Sequence, residues 1–282
     1  MQQLLIICFT LGLLQSVLAQ DFQGIATYKS TRKLDIQLDS TQVNSEMHQR
    51  MMDMMKKQFQ KTHLLSFNKE ASIYKEDKEL EAPQPMGMQI VMVSTGDSDV
   101  LYKNLKENRF TNQNESFSRL FLIQDKLQKH DWQLTGEKKF IGEYECFKAT
   151  KTIEVQVVES RISVNGDRGL DAEEESLEPQ MRQQEVVAWY APTIPISNGP
   201  ANYHGLPGLI LEVNDGTTTI ICSKIVLNPE KEVRIVEPKK GDKMNQEEYD
   251  KIMEKKMNEM QERMWNNSHE DGGESIEIRI GG

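Results

Sequence analysis

Along most of the chain, apolar and polar residues alternate in short runs rich in β-branched side chains and bounded by turn residues. That is the pattern of antiparallel strands. It predicts strands over residues 24–31, 63–67, 71–74, 88–93, 100–102, 120–124, 138–141, part of 146–158, and 185–190. The clearest hairpin joins 209–213 to 217–226 through Asn214-Asp215-Gly216, because Asp-Gly supplies the positive φ angles that a tight turn demands. A last alternating run, 276–280, reads as a strand near the C-terminus.

Two segments break this pattern with helical spacing. From about Ser45 to residue 61, Met47, Met51, Met54, Met55 and Phe59 recur along one face. Over residues 245–265, Tyr249, Met253, Met257, Met260 and Met264 do the same against a Lys/Glu face. Asn245 is placed to cap this second helix, Glu248 to reach back to the cap, and Met244 with Tyr249 has the spacing of a hydrophobic staple. Residues 160–184 hold Gly166, Gly169, Asp171 and the run Glu173-Glu174-Glu175, the composition of a solvated, mobile acidic loop. The fold class expected is therefore mainly β (α+β), a strongly curved antiparallel sheet or half-barrel with one or two flanking helices.

Composition narrows the function classes more than it selects one. The chain has 282 residues, 37% hydrophobic and 28% charged, as in ordinary globular proteins. Its net charge of −10 disfavours a phosphate backbone, so no nucleic-acid partner is expected. Residues 4–19 are an apolar run ending Val17-Leu18-Ala19, and this reads as a signal peptide, 1–19, cleaved after Ala19. The mature chain, 20–282, is then a single exported domain of the periplasm or outer cell envelope, with no membrane span left. Cys146 and Cys222 would remain, as a disulfide or as two buried free thiols.

The segment His204-Gly205-Leu206-Pro207-Gly208-Leu209-Ile210-Leu211-Glu212-Val213 follows Ala188-Trp189-Tyr190-Ala191-Pro192, Ile194-Pro195 and Gly199-Pro200. With the segment Ile141 to Thr150 and the approach Ile123-Gln124-Asp125 and Trp132, this resembles the GLPGLI family, over roughly residues 20–280. The resemblance implies an exported cell-envelope protein of Bacteroidetes-type bacteria and carries no catalytic residues across. The motif itself reads as architecture, with Gly205 and Gly208 allowing close or unusual backbone, Pro207 fixing φ, and Leu209, Ile210 and Leu211 entering a buried strand. A functional alternative places Trp189, Tyr190, Tyr203 and His204 at the rim of a pocket beside that turn.

Among the side chains with chemistry, the fourteen methionines that would remain after signal removal, with His48 and His63 near the first cluster, would suit Cu(I), yet methionine at helical spacing is ordinarily a core stripe. Asp125, His130, Asp131 and His204 are acid and base types without a nucleophile elbow or zinc spacing, and Gly-rich phosphate loops are absent. No catalytic residue, metal or cofactor is expected. The leading expectation is a non-enzymatic binder or carrier of an apolar ligand, a lipid or lipoprotein. Its cleft would be lined by Met51, Met55, Trp189, Tyr190, Met253, Met257 and Met260. Copper handling and an accessory role beside an outer-membrane protein are the alternatives.

Overall fold

A computed structural model describes residues 22–33, 60–77, 100–157 and 180–270. Their strands, in chain order, are β1 (Gln23–Arg32), β2 (Gln60–Asn68), β3 (Ala71–Glu76), β4 (Val100–Asn104), β5 (Arg109–Ser116) and β6 (Arg119–Lys126). There follow β7 (Gln133–Ile141), β8 (Tyr144–Val157), β9 (Gln180–Ala191), β10 (Leu209–Asn214), β11 (Thr218–Leu227) and β12 (Asp242–Met244). One helix, α1 (Gln246–Glu270), ends the described chain.

All twelve strands join one sheet in the order β12-β6-β5-β4-β3-β2-β1-β11-β10-β9-β8-β7. Every pairing is antiparallel except β12 with β6. The protein is thus mainly β, as its alternation predicts. The half-barrel expectation is corrected, because the sheet is open, neither closed nor strongly curled, with β12 and β7 as its two ends. Short turns join β2 to β3, β4 to β5, β5 to β6, β7 to β8 and β10 to β11, and nothing in the alternation pattern requires the outermost strands to meet.

Strand β5 escapes a hydrophobicity reading because its sequence, RFTNQNES, is nearly all polar. It is held by pairing on both sides, with β4 and β6. The expected acidic loop at 160–184 is corrected at its end, where Gln180 to Gln184 already pair within β9. The expected first helix is likewise corrected at Gln60 and Lys61, which belong to β2, and its other residues, with Met51 and Met55, lie outside the described residues. The signal segment and the strands at 88–93 and 276–280 lie outside them too.

Register decides which side chains share a face. Lys103 pairs with Phe110, Phe110 with Asp125, Asn112 with Ile123 and Asn114 with Phe121, so these residues project from one side of β4, β5 and β6. On that side Tyr249 and Met253 of α1 pack with Phe121 and Ile123, and the Tyr249 hydroxyl donates to Asn114 Oδ1 at 2.9 Å. Further along the sheet, Tyr28, Leu65, Phe67, Tyr74 and Leu101 form the main core with Ile194, Leu209 and Leu211. On the other side of β5, Arg109 and Thr111 donate to Glu237, which fastens the segment between β11 and β12 to the sheet.

The start of α1 is set by its own residues. Asn245 Oδ1 accepts from the Glu248 backbone N–H at 2.8 Å, and Glu248 Oε2 accepts from the Asn245 N–H at 3.0 Å, closing the capping box. Asp125 accepts from the Gln246 N–H at 3.2 Å and ties this end to β6. Among the described residues no helix is long and apolar enough to cross a membrane. Replacing Asn245 by Ala should cost about 1 kcal/mol. We expect a lower urea midpoint with unchanged slope, measured by circular dichroism.

Candidate functional site

Strand β4 carries a lysine where alternation calls for an apolar residue, since Leu101 and Lys103 share the buried face. Lys103 has no exposed surface, and its ammonium donates to the carbonyls of Gly199, Ala201 and Tyr203 at 2.7, 2.8 and 3.4 Å. Three donors meet three acceptors. The acceptors converge because Ala201 takes a positive φ of 45° in the loop between β9 and β10. Burial pushes the Lys103 pKa down to about 7.

The same loop presents Tyr203 and His204 to the link between β6 and β7. Trp132 Nε1 donates to the His204 carbonyl at 2.8 Å, and the His130 and His204 rings lie 4.8 Å apart. His130 Nε2 contacts the Asn202 carbonyl at 2.9 Å. A carbonyl only accepts, so Nε2 bears the proton and Nδ1 is left to accept from Lys151 Nζ, also at 2.9 Å. Lys151 stands 5.2 Å from the centroid of both the Trp132 and Tyr203 rings. Burial lowers the pKa of His130 and of Lys151. For His204, burial first, then Lys103 and His130, push the pKa down to about 4, against a hydrogen bond to the Gln128 backbone. Its Nε2 is buried without a hydrogen-bond partner. The result is two neutral imidazoles beside Lys151, which is flanked by the Trp132 and Tyr203 rings.

The glycines of the motif serve two different needs. At Gly205 the backbone has φ +95°, which L side chains rarely adopt, although a Cβ there would find room. At Gly208 a Cβ would stand 2.4 Å from the Ala191 carbonyl oxygen, so glycine is required by the close approach of β9. Leu209 N–H then donates to Ile194 O and Ile210 N–H to Asn198 O, folding the loop onto its own end. Leu206, Leu209 and Ile210 are fully buried. From β1, the Tyr28 hydroxyl donates to the Ile210 carbonyl at 2.7 Å. The architectural reading of the motif therefore describes what these residues do.

Several residues singled out from sequence are not brought together. Trp189 and Tyr190 are neighbours on β9 and so point to opposite faces. Trp189 lies beneath Lys139, whose ammonium is 4.4 Å from its ring centroid and bonded to Glu212. Tyr190 packs with Ala149, Ala188 and Ile210. Met253 is buried against β6, and Met257 is exposed farther along α1. Seven strands separate β6 from β9 in the sheet, so the methionines of α1 and the two aromatics do not line one cleft. Cys146 and Cys222 are free, buried thiols in the same core, the first pushed up to about 11 and the second to about 12, both chiefly by burial. Of the acid and base set, only His130 and His204 meet. Asp125 serves α1, and Asp131, widely exposed, pairs with Lys129 at 3.7 Å. Among the described residues no three His, Cys, Asp or Glu side chains are grouped to hold a metal. Lys103 and Lys151 are the site residues a hydropathy reading passes over. The signal for Lys103 is its inward parity after Leu101.

Residues 132–212 match the family described as "Protein of unknown function (Porph_ging)", which is the GLPGLI family. The match begins at Trp132 and ends in β10, so it contains the turn, both aromatics and Lys151. No curated protein matches the chain. Two solved structures of PNGF-II, in the C2 and P21 space groups, are similar with TM-scores of 0.45 and 0.46 and identities of 12% and 13%. Each covers 82% of this chain, which spans 32% and 33% of theirs.

Two outcomes follow from this geometry. The His204 ring should stay neutral down to a midpoint near pH 4 in an NMR titration. Since the unfolded ring, near 6.5, binds protons more readily, its contribution to stability should be constant above pH 6.5 and decline as pH falls from there toward 4. Replacing Lys103 by Met would strand three carbonyls, at about 1–3 kcal/mol for each one left unpaired. We expect faster amide hydrogen exchange across residues 199–208 and a lower urea midpoint.

Proposed function

We propose that this chain is an exported, non-enzymatic protein that binds an apolar ligand, the acyl chain of a lipid, on the outer end of its sheet beside the family turn. Support for export is the apolar run 4–19 ending at Ala19. The observation that carries the binding reading is on β7, where Leu134 and Phe140 are 60% and 71% exposed. Leu134 pairs with Ala149, Lys138 with Phe147 and Phe140 with Glu145, so Leu134, Phe140 and half-buried Phe147 share one face. A lone exposed apolar side chain is ordinary, but a row of them on one edge marks a contact surface.

The edge favours a small ligand over an added strand. Gly136 falls where the β7 register shifts, and Glu137, Lys138 and Lys139 follow it, the devices that discourage strand pairing. Lys138 lies 4.6 Å over the Phe147 ring and pairs with Glu145 at 3.2 Å, so a cation borders the apolar row. That arrangement suits a chain with an anionic head. Covering a phenyl ring is worth about 1.5–3 kcal/mol, a tenfold or greater effect on affinity. Phe140→Glu, folded by circular dichroism, should therefore lose at least tenfold in binding of a fluorescent fatty-acid probe. Equal binding by Phe140→Glu and wild type would refute the reading, and an intact Met1 on protein from native cells would refute export.

A further inference from the structure

Lys151 continues the face that carries Phe147 and Ala149 on β8, two residues farther on. Its ammonium has three donors. One meets His130 Nδ1, and its other recorded neighbours are the faces of Trp132 and Tyr203. Among the described residues neither Lys151 nor Lys103 forms a salt bridge with a carboxylate. The ionisable groups around this point are Lys103 from β4, Lys151 from β8, His130 and Asp131 from the link before β7, His204 from the turn, and Asp215 from the hairpin after β10. The two acids are engaged elsewhere, Asp131 with Lys129 and Asp215 with the Tyr203 hydroxyl. Lys151, His130 and His204 thus gather at a spot with no anion of its own, the Lys103 donors being spent on the loop carbonyls, and His204 Nε2 is buried without a partner.

We propose that Lys151, with His130 and His204, forms a binding site for a phosphate-type anion, the head group of the amphiphile whose tail lies along Leu134, Phe147 and Phe140. The anion would take the unspent donors of Lys151 and favour protonation at His204 Nε2, which has no other partner. Scale agrees with this. From Lys151 to Phe147 is four residues of extended strand, about 13 Å, with Phe140, opposite Glu145, at the far end of the row. One leaflet of a bilayer core, half of about 30 Å, gives an acyl chain roughly 15 Å long. The anion site is independent of the apolar reading except where it names the tail.

The test is isothermal titration calorimetry of the full mature chain at pH 6.5 with inorganic phosphate, glycerol phosphate and dihexanoyl phosphatidic acid below its micelle concentration. We expect all three to bind, the His130 and His204 ring signals to shift in NMR, and Lys151→Met to weaken binding at least tenfold. Ring signals that do not move in wild type, or no phosphate binding at all, would each overturn the site. The ring signals decide the matter without any variant, should Lys151→Met fail to fold. At least tenfold tighter binding of the phosphatidic acid than of glycerol phosphate, lost in Leu134→Glu, whose residue stands opposite Ala149 and within reach of a six-carbon chain, assigns the anion to a lipid head. Equal affinities support the anion site with a tail-free phosphate ester and overturn the acyl-chain reading alone.

Discussion

A buried ammonium cannot be left without acceptors, and Lys103 finds all of its own in one loop. Removing such a charge from water costs several kcal/mol unless hydrogen bonds replace the lost hydration. No carboxylate supplies them; the carbonyls of Gly199, Ala201 and Tyr203 do. That requirement fixes the loop between β9 and β10 over β4. The position of the loop then fixes Tyr203 and His204, and through the His204 carbonyl it fixes Trp132. The motif is the continuation of the same clamp, since Gly208 lets β10 begin against the Ala191 backbone.

The clamp also sets the electrostatics. Burial lowers the proton affinity of Lys103, Lys151, His130 and His204 first, and the lysines lower that of the two histidines further. A cluster arranged only for stability would place a carboxylate among them, as Glu237 stands against Arg109 on the opposite side of β5. Here the acids are turned to other partners. The site is therefore neutral at His130 and His204 yet electropositive at Lys151, beside the row of Leu134, Phe147 and Phe140 on the edge of the sheet.

Local chemistry was legible in the linear sequence wherever it acts over a few residues. Alternation located most of the strands, Asp215-Gly216 the hairpin, Asn245 with Glu248 the start of α1, and the Gly-Leu-Pro-Gly-Leu-Ile segment the family. Strand β5 was not legible, because pairing on both sides holds a polar segment that its own hydropathy would not. The methionine stripe on α1 was correctly a packing face at Met253. Its imagined partners Trp189 and Tyr190 were separated by strand order and by the opposite pointing of adjacent residues on a strand.

What the sequence determined by itself was thus the class of fold, the motif and its family, for these follow from spacing, turn residues and caps within short windows. The tertiary structure alone decided that the sheet stays open, that Cys146 and Cys222 remain thiols, and that Lys103, His130, Lys151 and His204 meet. Those four come from β4, the link before β7, β8 and the turn before β10. No periodicity relates positions so far apart in the chain. Only the order of strands in the sheet, and the demand of a buried lysine for three carbonyls, brings them to one place.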